Sequence, residues 1–332
     1  MKAGNGLPRL LDVRGLSVRF FGDEGIVTAV DDISFALSLG ETLCLLGESG
    51  CGKTVTMRSL MRLLPSTAKI SGSVRLDDVE VTALRERELL AIRGSKVAMV
   101  FQDPMSALDP VFTIGQQIVE VVMTHERVSR AAARARALEL LEMVQIPSAR
   151  RRLDAFPHEL SGGLRQRAMI ALALSCRPKL LLADEPTTAL DATVQIQILI
   201  LLRELQRELG MAIILVTHDL GVASEIADSV AVMYAGRLVE IADIGALIRA
   251  PRHPYTVGLL ASTINERSQD NVLTPIPGAP PDLSNLPKGC AFAPRCTQAV
   301  DRCTIEAPQL VGIAPNRAAR CHLVVPVSTT AG

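Results

Sequence analysis

A short apolar run at residues 42–46 ends on Gly47-Glu-Ser-Gly-Cys-Gly-Lys53-Thr54, and no other segment limits the fold so strongly. A buried strand, a glycine-bearing loop and a helix expected over 53–64, stopped by Pro65, make a P-loop unit. The residue types follow from phosphate chemistry. Gly50 and Gly52 let the backbone curl so that N–H groups point inward at an anion. The helix start near Lys53 adds the positive end of its dipole. Lys53 supplies a mobile cation for β- and γ-phosphates, and the Thr54 hydroxyl is a hard oxygen ligand for Mg²⁺. The expected nucleotide-contacting set is Gly47, Glu48, Ser49, Gly50, Cys51, Gly52, Lys53, Thr54 and Val55.

The remaining pattern is that of an α/β chain. Residues 11–21 and 26–37 mix β-branched and apolar residues across a Gly/Asp break. Strands are expected at 96–101, 180–183 and 212–217, a helix at 194–209, and a hairpin of 230–234 and 237–241 around Ala235-Gly236. Residues 115–156 are rich in Ala, Leu, Arg and Glu, and over 129–144 apolar residues recur at helical spacing, which predicts a helical insertion. Apolar strands alternating with helices predict a mostly parallel sheet covered on both faces. Mean hydropathy is high, +0.28, yet the densest apolar stretches, 179–183 and 196–202, fall well short of the ~20 residues that span a bilayer. Buried parallel strands account for the score. The first residues carry no long apolar run, so the chain is expected to stay in the cytosol. Lys+Arg and Asp+Glu balance at 35 each, which gives no support for a nucleic-acid partner. Aromatics are only 3%, too few for a base-stacking platform.

A second half of the phosphate site is legible further on. The strand at 180–183 delivers Asp184 to its carboxyl end, where ligands bind in open α/β sheets. Asp184 is expected to hold Mg²⁺, directly or through water. Glu185 is placed to polarise an attacking water as general base. Gln102 and His218 each follow a short apolar strand. Gln102 is expected to ligate Mg²⁺ or position water, and His218 to donate to the γ-phosphate.

Residues 160–167, Leu-Ser-Gly-Gly-Leu-Arg-Gln-Arg, resemble the LSGGQ signature of ABC ATPases. The chain already has one phosphate site, so a second anion-facing helix start needs a second nucleotide. The resemblance therefore implies a head-to-tail dimer, each ATP lying between one subunit's P-loop and the partner's signature residues, Ser161, Gly162 and Gly163. It also implies that Phe20 stacks on adenine, with Phe21 as a possible substitute. Gln102 is then the Q-loop residue, Ala189-Leu190-Asp191 the D-loop, and His218 the switch histidine. The implied fold is a P-loop NTPase core over 9–250 with an antiparallel β portion and a helical subdomain near 103–175. Two positions depart from the family pattern. Leu164 replaces the usual Gln of the signature, and Cys51 stands where Ser is commoner. A thiol beside the phosphates is expected to make the site sensitive to oxidants or alkylators.

Of seven cysteines, Cys290, Cys296, Cys303 and Cys321 crowd into the C-terminal part. They lack C-x-x-C pairs, but four thiolates in a reducing compartment suit Zn²⁺ or an iron–sulfur cluster. Gly289-Cys-Ala-Phe-Ala-Pro-Arg-Cys296, Cys303 and Cys321-His322 resemble the C-terminal extension of oligopeptide/dipeptide importer ATPases. So does His253-Pro-Tyr-Thr-Val-Gly-Leu-Leu260. That resemblance implies a small extension over 251–332 with a [4Fe–4S] cluster at the four cysteines, zinc being the alternative; its Pro-rich stretch, 274–289, reads as an irregular arm. It further implies an ATP-hydrolysing importer subunit on the cytoplasmic face of the inner membrane. The implied partners are a second ABC ATPase in a heterodimer, two permease subunits and, indirectly, a solute-binding protein. Short peptides are the expected cargo; nickel, glutathione or an oligosaccharide is the alternative. A soluble ABC ATPase of repair or translation usually carries two ATPase halves or coiled-coil inserts, and neither is seen here.

Overall fold

In the computed structural model, residues 9–22, 25–188, 190–264 and 275–326 are described. They divide into two units. Ala189 of the expected D-loop and Thr274 of the Pro-rich arm lie outside the described residues.

The first unit takes in 1–38, 42–82 and 216–332. Strands β1 (Arg9–Gly22) and β2 (Gly25–Ser38) pair antiparallel, and β4 (Ala68–Leu76) and β5 (Val79–Glu80) complete a sheet of order β2-β1-β4-β5. Leu11, Val13, Leu16 and Val18 of β1 are buried; register shifts between them absorb the departures from strict alternation. In the same unit, β3 (Thr42–Leu46) runs parallel to β9 (Ser229–Tyr234), from Leu43 opposite Ser229 to Leu46 opposite Val232. Every residue of β3 is buried, the reason it reads as an unbroken apolar run. Its start is fixed from both sides: the Thr42 amide donates to the Asp228 carboxylate (2.8 Å), and the Asp228 amide to the Thr42 carbonyl (2.9 Å). Strand β10 (Arg237–Asp243) makes the expected hairpin with β9. The C-terminal residues continue the sheet through β12 (Arg317–Ala319) on β10 and β11 (Val311–Ala314) on β12.

The helices of this unit are α1 (Lys53–Leu60), α9 (Leu220–Ile226), α10 (Ile244–Arg249), α11 (Pro254–Ile264) and α12 (Asp301–Ile305). Helix α1 stops short of the expected residue 64. Arg62 adopts φ 51, and the Leu63 amide turns back to the Arg58 carbonyl at 2.8 Å, so the turn closes before Pro65 is reached. One apolar core joins Leu46, Val230, Val232 and Tyr234 of the sheet to Tyr255 and Phe292 of the C-terminal residues.

The second unit takes in 39–41 and 83–215. Strands β6 (Val97–Val100) and β7 (Leu180–Asp184) are parallel neighbours, and β8 (Ala212–Thr217), whose residues 212–215 belong here, lies beside β7. Its helices are α2 (Glu86–Ile92), α3 (Pro104–Ala107), α4 (Ile114–His125), α5 (Arg130–Met143), α6 (Ala149–Arg152), α7 (Gly162–Ala173) and α8 (Ala192–Leu209). The helical insertion is α3 to α6. Thr113 and Gln116 form a capping box on α4, and the Ser129 hydroxyl caps α5 at Ala132. Ile118, Val122, Ala137, Leu140, Ala168 and Met169 fill the space among α4, α5 and α7. Among the described residues no helix is long and apolar enough to cross a membrane.

Candidate active site

In the first unit the P-loop leaves the end of β3 and closes on α1. Gly52, the residue before the helix, has φ 106, and a Cβ there would meet the Ala29 carbonyl oxygen at 2.4 Å. Both the conformation and the close approach therefore require glycine. Lys53 is buried, with 5% of its surface exposed. Its ammonium donates to the carbonyls of Gly47 (2.7 Å) and Glu48 (2.9 Å), which offset the cost of burying the charge. Thr54 and Val55 are half-buried in the first turn of α1, and Ser49 and Gly50 are exposed at the loop's tip.

The reagent sensitivity expected of Cys51 is corrected by its surroundings. The thiol is buried, and desolvation raises its pKa against the opposing charge of Lys53, so little reactive thiolate forms. Glu48 carries two contacts that the sequence did not reveal. Its amide donates to the Tyr255 hydroxyl (2.9 Å), and its carboxylate accepts both ends of the Arg295 guanidinium (2.7 and 2.9 Å). The only sequence signal was local: Tyr255 lies within the 253–260 motif, and Arg295 precedes Cys296.

His218 follows β8 and is exposed. Its loop is pinned by Asp219, whose amide donates to the Thr217 hydroxyl (3.0 Å) while its carboxylate caps α9 at Gly221 (2.6 Å). Phe20 is half-buried on β1, opposite Val27 and Ala68. Phe21, on the other face of the strand, is the exposed ring and carries the Lys69 ammonium 4.8 Å from its centroid.

In the second unit β7 delivers Asp184, buried, to its carboxyl end. Glu185 follows at φ 45. Its carboxylate accepts from the Gln102 amide (3.2 Å) and the Thr188 hydroxyl (3.0 Å). Gln102 and Glu185, read separately from the sequence, are thus brought together; Thr188 was missed, being one hydroxyl in a turn. The signature segment opens α7. Ser161 is its N-cap, exposed, with extended backbone, and its hydroxyl makes no capping hydrogen bond. A Cβ on Gly163 would lie 2.8 Å from a Val194 methyl, which keeps this turn bare of side chain. Arg165 fastens the helix start to the carbonyls of Pro157 (2.8 Å) and His158 (3.2 Å). Gly162 is exposed beside Ser161. Asp191 caps α8 by accepting from the Val194 amide (3.0 Å).

Cys290, Cys296, Cys303 and Cys321 line one cavity of about 10 Å³, together with Phe292 and His253. Burial pushes the thiols of Cys290, Cys296 and Cys321 up from their ordinary range. Among the described residues no group of three or more His, Cys, Asp or Glu is arranged to hold a metal ion. The four thiols line a common cavity but are not drawn together into a ligating arrangement. The donor chemistry itself, four soft sulfurs, suits either group.

Comparison with known proteins agrees with this architecture. Residues 30–188 match the ABC transporter family, and residues 239–303 match the oligopeptide/dipeptide transporter C-terminal region. The chain is 49% identical over 312 residues to the oligopeptide transport ATP-binding protein OppD of Salmonella typhimurium, covering 94% of this chain and 93% of that protein. With the oligopeptide transport ATP-binding protein AppD of Bacillus subtilis it is 48% identical over 316 residues, covering 95% and 96%. Among solved structures, the dimeric post-hydrolysis ATP-binding cassette MJ0796 bound to ADP and Pi superposes with a TM-score of 0.64 at 30% identity, over 70% of this chain and 98% of that one. The cassette cbiO1 from Clostridium perfringens, part of the ABC transporter complex cbiONQ, gives 0.62 at 28% identity over 76% and 95%. With a P-loop, a signature helix, an acidic strand end and this C-terminal region in one chain, the protein belongs to the ATP-binding proteins of ABC transporters, in the oligopeptide/dipeptide transporter branch.

Proposed function

We propose that this chain is the ATP-hydrolysing subunit of an importer for di- or oligopeptides, and that it acts as one member of a nucleotide-sandwich pair. The observation that carries the hydrolytic part is the Glu185 carboxylate, held by Gln102 and Thr188 at the end of a buried acidic strand. In this reading the P-loop amides and Lys53 grip the triphosphate, with Phe20, or Phe21, against the base. Glu185 takes a proton from the attacking water. His218, Lys53 and the partner's Ser161, Gly162 and Gly163 stabilise the charge that develops on the phosphoryl oxygens. Thr54, Asp184 and Gln102 offer hard oxygen donors that suit Mg²⁺, which when bound neutralises phosphate charge. Asp191, at the D-loop, keeps the start of α8 in place between signature and base.

The pairing partner in this reading is a second, related ABC ATPase, and the two sit on the cytoplasmic face of the inner membrane against two permease subunits fed by a solute-binding protein. The names of the relatives support the peptide cargo. The reading takes 9–250 as the ATPase domain, with a helical subdomain near 103–175, and 251–332 as the extension. It assigns the four C-terminal cysteines to a [4Fe–4S] cluster, with zinc as the alternative; their convergence on one cavity supports this. Iron with acid-labile sulfide in anaerobically purified protein supports the cluster, zinc alone the alternative, and neither metal overturns the assignment.

The central test is Glu185→Gln in the assembled transporter. Hydrolysis and peptide uptake should fall at least about 100-fold while ATP is still bound. Unchanged hydrolysis would remove Glu185 as the base.

A further inference from the structure

A P-loop that carries a carboxylate beside its first glycine has an electrostatic problem. Glu48 adds a negative charge next to the place where a triphosphate is to be gripped, and like charges at such distances cost binding. In this chain the C-terminal residues answer it. Arg295, with 6% of its surface exposed, reaches the P-loop from 247 residues away in sequence and takes the Glu48 carboxylate in a two-pronged ion pair at 2.7 and 2.9 Å. The rest of the guanidinium is also committed. It donates to the Pro277 carbonyl (2.8 Å) and the Tyr234 hydroxyl (3.4 Å), and it lies over the rings of Tyr234 and Phe292 at 5.8 and 6.0 Å. Tyr255 adds a second hold on the same residue through the Glu48 amide. Its ring packs on Tyr234 (4.6 Å between centroids) and Phe292 (5.4 Å).

The consequence reaches the catalytic cation. The Glu48 carbonyl is one of the two acceptors that hold the Lys53 ammonium. Fixing the Glu48 peptide from the carboxylate side and the amide side therefore also fixes where Lys53 rests. All these residues lie in one unit.

We propose that Arg295, assisted by Tyr255, is a positioning residue of the nucleotide site: it neutralises Glu48 and turns its carboxylate aside, so that the P-loop accepts a polyanion. The C-terminal residues then complete the phosphate site electrostatically. The inference rests on the reading that this P-loop binds ATP.

The test is a rescue experiment on the full chain in its assembled transporter, measuring KM for ATP and kcat. Arg295→Met should raise KM about tenfold and leave kcat within about twofold, because a lone carboxylate then faces the triphosphate. Glu48→Gln alone is the reference for a P-loop without this charge, and the double variant is read against it. In the double variant, Glu48→Gln should restore most of the KM lost to Arg295→Met, since the repulsive charge has gone. Added salt should also shrink the defect of Arg295→Met, by screening. A packing role alone would give neither the rescue nor the salt dependence. An unchanged KM in Arg295→Met, or a double variant as impaired as Arg295→Met, overturns the inference. If Arg295→Met does not fold, thermal melting will show it, and Arg295→Lys, which keeps the charge and loses the fork, takes its place with a smaller rise in KM that Glu48→Gln again relieves. Lys53→Ala separates the two levels: if ATP binding survives it, the nucleotide-site reading is at fault, and if not, the outcome bears on Arg295 alone.

Discussion

Glu185 sits at φ 45, a left-handed conformation that costs a non-glycine residue on the order of 1–3 kcal/mol. Such a geometry persists where neighbours hold it, and here Gln102 and Thr188 grip the carboxylate. Thr188→Val removes one grip without touching the base. It should lower kcat of the assembled transporter about three- to tenfold and leave KM for ATP near its original value, because the misaligned base matters after binding; a shift in KM alone would assign Thr188 to the binding step instead. A second residue-scale prediction concerns His253, which is buried, accepts from the Tyr255 amide at 3.0 Å and is held down at about 4 by desolvation. Above the unfolded value near 6.5 the ring is neutral in both states and burial is not penalised. As pH falls from there toward 4, the unfolded chain takes up a proton that the folded chain refuses, and stability drops by up to about 3 kcal/mol. Urea titrations at pH 7 and pH 5 should show this loss, and His253→Gln should flatten it. Residues of this kind differ in how legible they are. Gln102 and His218 stand out in the sequence because each follows an apolar strand. Thr188, Tyr255 and Arg295 act through contacts that no local spacing encodes.

Two helix starts in this chain differ in what their N-cap side chains do. Asp191 spends its carboxylate on the Val194 amide, whereas Ser161, in the same N-cap position on α7, leaves its hydroxyl without a capping bond. Asp191→Ala should therefore cost about 1 kcal/mol of stability. Ser161→Ala should change the melting temperature little, since no helix cap is lost, yet should lower ATP hydrolysis in the assembled pair about tenfold or more, as loss of a γ-phosphate donor would. A large stability loss in Ser161→Ala would return that serine to a structural role. At this scale the sequence is most readable where an element is buried on all sides. Strands β3, β7 and β8 are buried throughout, mostly apolar, and stand close to their expected bounds. The end of α1 was misplaced because the signal chosen, Pro65, lies beyond the point at which Arg62 turns left-handed.

The C-terminal residues read in the sequence as an extension with its own cysteine framework, but their packing ties them to the P-loop. Strand β12 pairs with β10, and Tyr255, Leu259, Leu260 and Phe292 share one core with Leu46 at the end of the P-loop strand and with Val230, Val232 and Tyr234. Leu46 precedes the C-terminal members of this core by some two hundred residues, so no periodicity announces the contact. Phe292, 4% exposed, touches three other rings, those of Tyr234, His253 and Tyr255. Replacing it with alanine removes the keystone of that cluster and should cost about 3–5 kcal/mol. Because the same side chains back the P-loop strand, the cost should not be confined to the C-terminal part. Hydrogen exchange on the full-length chain should show amides at 42–60 losing protection in step with those at 290–320, as one cooperative unit requires. If the 290–320 amides exchange freely in Phe292→Ala while 42–60 remain as protected as before, the shared core does not couple them, and the extension is held to the P-loop by Arg295 and Tyr255 alone.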